Sequence, residues 1–203
     1  MRNESVPNGK RPLLPQAWAD DIREAVRVMR SGGLVLMPTD TIWGLACDAT
    51  NDAAVSRVFA LKRRSEAKAL ITLVDSPEAV GRYVRTLPDA AWDLMDVAVS
   101  PLTLVLDDAQ GLAQGVTAAD GTAAIRVTRE PFSQALCRRM GRAIVSTSAN
   151  ISGQPAPRCF QEISEEVRSA VDYICLARRE ETAATKPSGI IRIGRGGEVK
   201  IIR

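Results

Sequence analysis

The chain has 203 residues and no histidine. That absence excludes the Ser-His-Asp and Cys-His nucleophile pairs, the HExxH zinc site and any His-ligated metal, and it removes the side chain that most readily moves a proton at neutral pH. An apolar share of 45%, a charged share of 25% and a net charge of +3 fit an ordinary globular chain too mildly basic to announce nucleic acid.

Residues 1–16 are polar, contain prolines and show no period, so they read as a loose arm before a domain at 17–203. They also lack the apolar run of a signal peptide. Trp18, Ile22, Ala25, Val26 and Met29 then share one helical face, which Gly32 and Gly33 end. A short buried strand is expected at 34–37, stopped by Pro38. A helix capped by Asn51 or Asp52 runs to Lys62. Next come a strand at 69–74, a helix opened by Ser76-Pro77-Glu78, and a helix at 89–97. Strands at 102–106 and 123–128 precede a helix from Pro131 to Gly141, and a strand follows at 143–147. The chain closes with a helix at 160–169 and strands at 173–176, 190–193 and 199–202. Strands and helices alternate without strict βαβ order, which predicts a single α/β domain with a twisted mixed sheet and flanking helices. No apolar run is long enough for a membrane span, and Cys47, Cys137, Cys159 and Cys175 form no CxxC knuckle. The expectation is a cytoplasmic protein with reduced thiols.

Four polar segments carry the chemistry. PTDTIWGL, Pro38 to Leu45, follows an apolar strand and sets two hydroxyls and a carboxylate at a sheet edge, where open α/β sheets bind ligands. The plainer alternative is a polar turn. LKRRSEAK, Leu61 to Lys68, packs Lys62, Arg64 and Lys68 at a helix C-terminus. It is either a solvated face favoured by the helix dipole or a clamp for a polyanion. VSTSANISG, Val145 to Gly153, follows another buried strand and reads as a Ser/Asn-rich loop or as anion donors. The basic tail KPSGIIRIGRGGEVKIIR is a terminal hairpin or an RNA contact without stacking aromatics. Neither GxxxxGK[ST] nor GxGxxG occurs. Two hydroxyl-rich strand ends and one basic cluster suggest a single anion-binding cleft.

Taken together, these segments resemble the YrdC/TsaC family, the threonylcarbamoyl-AMP synthases. PTDTIWGL is similar to PT(D/E)xxYGL, Lys62 and Arg64 to KxR, AIRVT to (A/V)xRxP and STSANISG to STSANxSG. SPLTLVL, KPSGII and KIIR resemble further family segments. The chain differs in Val99-Ser100-Pro101, which lacks the family's glycine, and in Trp43, Ser65, Ala69 and Gly189. The resemblance implies a YrdC-like (DHBP-synthase-like) fold with a large positive cleft, in the short single-domain form. It implies synthesis of threonylcarbamoyl-AMP from L-threonine, bicarbonate and ATP with release of pyrophosphate, as the first step of a tRNA modification finished by a threonylcarbamoyl-transferase complex. It places Lys62, Arg64, Lys68, Thr122, Ser148, Asn150 and Arg203 on ATP, with Lys62 and Arg64 as the catalytic pair. It places Thr39, Thr41, Arg126, Ser146 and Ser188 around threonine. Lys62 and Arg64 are read as solvent-facing, so their replacement should spare the fold. Mg²⁺ would come bound to ATP, with Asp40 the one motif carboxylate able to orient a metal-bound water; no resident metal is expected. A monomer or weak dimer with a tRNA or double-stranded RNA contact and no membrane attachment completes the expectation. The alternatives are an RNA-binding module of the same fold without this activity, or a paralogue using another amine.

Overall fold

The computed structural model describes residues 15–63, 70–182 and 187–203. The expected arm therefore lies outside the described residues except for its last two, of which Gln16 already opens a helix. That helix, α1 (Gln16–Arg30), buries Ile22, Ala25, Val26 and Met29, the face expected from their spacing. Gly32 follows it with φ +80, a conformation that glycine adopts without penalty.

Among the described residues nine strands form one sheet, in the order β7-β1-β2-β6-β3-β5-β4-β8-β9. They are β1 (Val35–Met37), β2 (Gly44–Asp48), β3 (Ile71–Val74), β4 (Leu102–Leu106), β5 (Ala123–Val127), β6 (Ile144–Ser148), β7 (Tyr173–Ile174), β8 (Gly189–Ile193) and β9 (Val199–Ile201). The pairs β1/β7, β3/β5 and β4/β8 are parallel and the rest antiparallel, which makes the sheet mixed, as expected. The sequence does not predict β2. All five of its residues are buried, so it lacks the apolar-polar alternation of a half-exposed strand, and GLACD carries no β-branched side chain.

The helices α2 (Asp52–Lys62), α3 (Pro77–Val80), α4 (Asp89–Val97), α5 (Pro131–Met140) and α6 (Glu165–Ser169) complete the described elements with a 3₁₀ turn at Phe160–Glu162. The single helix expected at 160–169 is thus broken in two. Ile163 leaves the helical region, and Ser164 caps α6 by accepting from the Val167 N–H. Asn51 caps α2 in the expected way, accepting from the Ala54 N–H at 3.1 Å.

The sheet has two unlike faces. One carries Leu36, Leu45, Cys47, Val145, Leu104 and Ile125 and is covered by α2, α3 and α4. The other carries Val35, Met37, Ala46, Leu73 and Ile144, and α1 and α5 lie on it, with Trp18 meeting Phe132 edge to face at 5.6 Å. Side chains two apart on a strand share a face. Gly44, Ser146, Ser148 and Ile71 therefore continue this second face beyond the two helices. That stretch of sheet is left open, and the site is there.

Candidate functional site

The open stretch forms the floor of a cavity of about 720 Å³. It runs from Gly44 of β2 across β6, β3, β5 and β4 to Ile190 of β8, and it is closed by Thr41, Trp43, Ser188 and Arg203. It gathers Thr41, Arg126, Ser146, Ser148, Ser188 and Arg203, which are 6 of the 12 residues assigned from sequence. Residues far apart in the chain thus share one wall because the antiparallel β2/β6 pairing sets Gly44 opposite Ser148 and Ala46 opposite Ser146. Gly44 permits that approach: a Cβ there would lie 2.6 Å from Ser146 Oγ.

The hydroxyls are held before any ligand arrives. Thr103 Oγ1 and Ser188 Oγ share a hydrogen bond of 2.9 Å, and Arg203 donates twice to the Ser188 carbonyl, at 3.2 and 3.1 Å. Ser146 stands on β6, within the strand expected at 143–147, and Ser148 ends the same strand rather than opening the loop after it. This fixes their direction more firmly than a loop would.

Thr39 is close by but spent. Its hydroxyl donates to the Ile42 carbonyl at 2.7 Å and accepts from the Thr41 N–H at 3.0 Å, so it shapes the turn that presents Thr41. Thr122, just before β5, gives its hydroxyl to Asp120 at 2.7 Å and is not part of the cavity wall. Arg64 and Lys68 lie outside the described residues.

Lys62 corrects an expectation. It is not solvent-facing but 3% exposed. Its ammonium donates to the Ser148 carbonyl at 2.6 Å and the Asn150 carbonyl at 2.8 Å, and it approaches Asn150 Oδ1 at 3.4 Å. The Ser152 N–H returns a bond to the Lys62 carbonyl at 2.9 Å. The end of α2 is therefore stapled beneath the Ser-Ala-Asn segment. The amide of Asn150 donates to the carbonyls of Ile151 and Gln154, at 3.1 and 2.7 Å, and closes the same turn. Replacement of Lys62 would take a charged donor from two part-buried carbonyls, leaving Ser148's with the Asn150 N–H at 2.9 Å, and this costs stability.

Asp40 lies elsewhere than expected as well. Its carboxylate faces Arg126 Nη2 at 3.2 Å, with side chains 11% and 4% exposed. Burial raises the pKa of Asp40 above the ordinary carboxylate value, against the pull of Arg126, and burial lowers that of Arg126. Nothing in the motif announced this pairing, since the two residues are far apart in sequence. A second cavity, of about 320 Å³, opens on the opposite face of the sheet between Asp40, Glu130 and the loop at Val99 to Pro101.

The donor set suits an anion held beside an amine: hydroxyls, one buried guanidinium, and Arg203 beside Ser188. Among the described residues no three His, Cys, Asp or Glu side chains come together to hold a metal. The thiols of Cys47, Cys137 and Cys175 are poor nucleophiles, because burial pushes Cys47 up to about 12 and raises the other two as well. No helix among the described residues is long and apolar enough to cross a membrane.

Comparison with known proteins finds relatives over nearly the whole chain. A threonylcarbamoyl-AMP synthase of Halorhodospira halophila is 35% identical over 193 residues, 94% of this chain and 95% of the relative. One from Methylococcus capsulatus is 39% identical over 142 residues, 68% of this chain and 74% of the relative. Among solved structures, P. abyssi Sua5 complexed with L-threonine superposes with a TM-score of 0.81 at 27% identity, covering 94% of this chain but 55% of that protein, so the chain spans a little over half of Sua5. E. coli YciO superposes with a TM-score of 0.79 at 22% identity over 95% of this chain and 91% of its own, a likeness of fold. The family described as "Telomere recombination", Sua5/YciO/YrdC, matches residues 27–203, and the chain belongs to that family.

Proposed function

We propose that this protein is a threonylcarbamoyl-AMP synthase, an enzyme of the nucleotidyltransferase class that combines L-threonine, bicarbonate and ATP and releases pyrophosphate. The observation that carries the reading is the one cavity that Thr41, Arg126, Ser146, Ser148, Ser188 and Arg203 line together. The similarity to synthases over nearly the whole chain, and to a Sua5 solved with L-threonine, supports it. A volume of about 720 Å³ accommodates an amino acid and a nucleotide together.

In this reading Arg126 binds the threonine carboxylate, and Thr41, Ser146 and Ser188 hold the remaining polar groups. The free amine attacks CO2 derived from bicarbonate to give a carbamate. A carbamate oxygen then attacks the α-phosphorus of ATP, and the bond to the pyrophosphate oxygen breaks. Such a transfer rests on alignment and charge stabilisation rather than on a protein nucleophile, so a chain without histidine can perform it. Ser148, Asn150 and Arg203, with Arg64 and Lys68, are assigned to the phosphates and the nucleotide. Lys62 contributes by holding the Ser148 to Asn150 backbone in place. Mg²⁺ carried on the ATP phosphates would neutralise charge on the leaving pyrophosphate. The donor set fits a metal held by phosphates, because the cleft offers hydroxyls and cations and Asp40 is engaged by Arg126. We place the product upstream of a tRNA threonylcarbamoyl-transferase complex in the cytoplasm.

The test is pyrophosphate release from ATP. It is expected only when L-threonine and bicarbonate are both present, and Arg126→Gln should abolish it. Release that ignores threonine, or none at all, contradicts the reading.

A further inference from the structure

Four buried side-chain polar atoms among the described residues have no hydrogen-bond partner: Asp40 Oδ1, Arg126 Nε, Thr72 Oγ1 and Arg168 Nε. Two of the four belong to one ion pair. A well-made arginine-carboxylate pair is bidentate, with both partners' hydrogen-bonding capacity used. Here Arg126 Nη2 approaches Asp40 Oδ1 at 3.2 Å without hydrogen-bond geometry, and Arg126 Nε has no acceptor. Buried groups are rarely left this way, so the exception calls for a physical account.

The two residues face different spaces. Arg126 lines the large cleft, whereas Asp40 lines the smaller cavity on the opposite face of the sheet. Seen from the cleft, Asp40 stands behind the guanidinium as a fixed negative charge. Glu130 and Arg178, which also bear on Asp40, pair with each other at 3.1 Å, while the positive charge of Arg203 bears on Arg126 from the same cavity wall. Asp40 therefore offsets the charge of Arg126 at that end of the cleft.

That balance discriminates between ligands. A simple anion gains from Arg126 and loses to Asp40. A molecule carrying a carboxylate and an ammonium gains from both. We infer that Asp40 is a specificity-determining residue, which makes the Arg126 end of the cleft select a net-neutral α-amino acid over anions that lack the ammonium group. The same charge keeps the polyphosphate of a nucleotide from occupying that end in place of the amino acid. The assignment of Arg126 to the substrate carboxylate rests on the function proposed above.

The test compares two ligands of one carbon skeleton, L-threonine and its deaminated counterpart 3-hydroxybutanoate. Their affinities are measured by competition calorimetry on the full chain, Asp40→Asn and Asp40→Glu. The preference for L-threonine is expected to fall about 10-fold or more in Asp40→Asn, the scale of one unit charge acting across a weakly screened site. Asp40→Glu, which keeps the charge, should restore most of it. A role confined to holding the fold would weaken both ligands alike and leave the ratio unmoved, and that result overturns the inference, with melting temperatures showing that each variant is folded. Threonine binding without threonine-dependent pyrophosphate release would overturn the proposed function while leaving the charge selection measurable. Failure of the unaltered chain to bind either ligand would overturn both.

Discussion

Two buried aspartates show how this chain separates structure from function. Asp21, in α1, is 3% exposed and accepts three hydrogen bonds, from Tyr173 Oη and from the N–H groups of Leu176 and Ala177, each at 2.8 Å. It ties the first helix to the chain that follows β7, and its acceptor capacity is well used. Asp40 is less deeply buried, and its Oδ1 faces the Arg126 guanidinium at 3.2 Å without making a hydrogen bond. A carboxylate that serves the fold is satisfied by the fold. One that serves a ligand is left partly open, at an energetic cost the rest of the molecule must offset. Lys62 sides with Asp21, because its charge is engaged by the backbone of the Ser148 to Asn150 segment.

The largest effect that would sharpen this contrast is at Lys62. Lys62→Met should lower the unfolding free energy by about 3–4 kcal/mol, since two part-buried carbonyls lose a charged donor. Urea denaturation checks it. Unchanged stability with lost activity would return Lys62 to the role of a ligand contact alone.

Next comes Asp21→Asn, expected to cost about 2–3 kcal/mol because a neutral amide cannot accept all three bonds as strongly. Threonine affinity at temperatures where the variant is folded should not change. Asp40→Asn should show the reverse, with ligand selectivity moving more than stability. Equal behaviour of the two variants would break the comparison.

A smaller effect is expected at Gly44. A methyl group there would meet Ser146 Oγ at 2.6 Å and Thr39 Cγ2 at 3.4 Å, so Gly44→Ala should turn the serine away from the cleft. The expected result is a loss of about 1–2 kcal/mol in stability together with weaker threonine binding, read by denaturation and calorimetry.

The smallest is a pH effect. Burial raises the pKa of Asp40, so on acidification it gains its proton earlier than an ordinary aspartate would. Its negative charge, and with it the preference for threonine over 3-hydroxybutanoate, should be present above the raised pKa and lost as the pH falls through it. Arg126, Glu130 and Arg178 are the charged groups that bear on Asp40. The ratio in Asp40→Asn should be flat over the same range, and a matching slope there would assign the effect to another group.

Much of this was legible in the sequence. The spacing of Trp18, Ile22, Ala25, Val26 and Met29 marks α1, and β4 has the expected bounds, because an amphipathic face or an isolated apolar run shows in one dimension. The hydroxyl-rich ends of β1 and β6 pointed to the cleft. What escaped depends on the third dimension. β2 is buried on both faces and has no period to read. Lys62 looks like a solvated helix end until Ser148 and Asn150, 86 and 88 residues on, fold over it. The Asp40–Arg126 pair has no local signal, since it forms only when the loop after β1 reaches the end of β5.

The most direct test of the account is a crystal structure of the full chain with L-threonine, Mg²⁺ and a non-hydrolysable ATP analogue. The account predicts one occupied cleft, with the threonine carboxylate on Arg126, Thr41 and Ser188 at its sides, and phosphates against Ser148 and Arg203. Threonine in the smaller cavity beside Asp40 and Val99, or a nucleotide phosphate seated on Arg126, would contradict it.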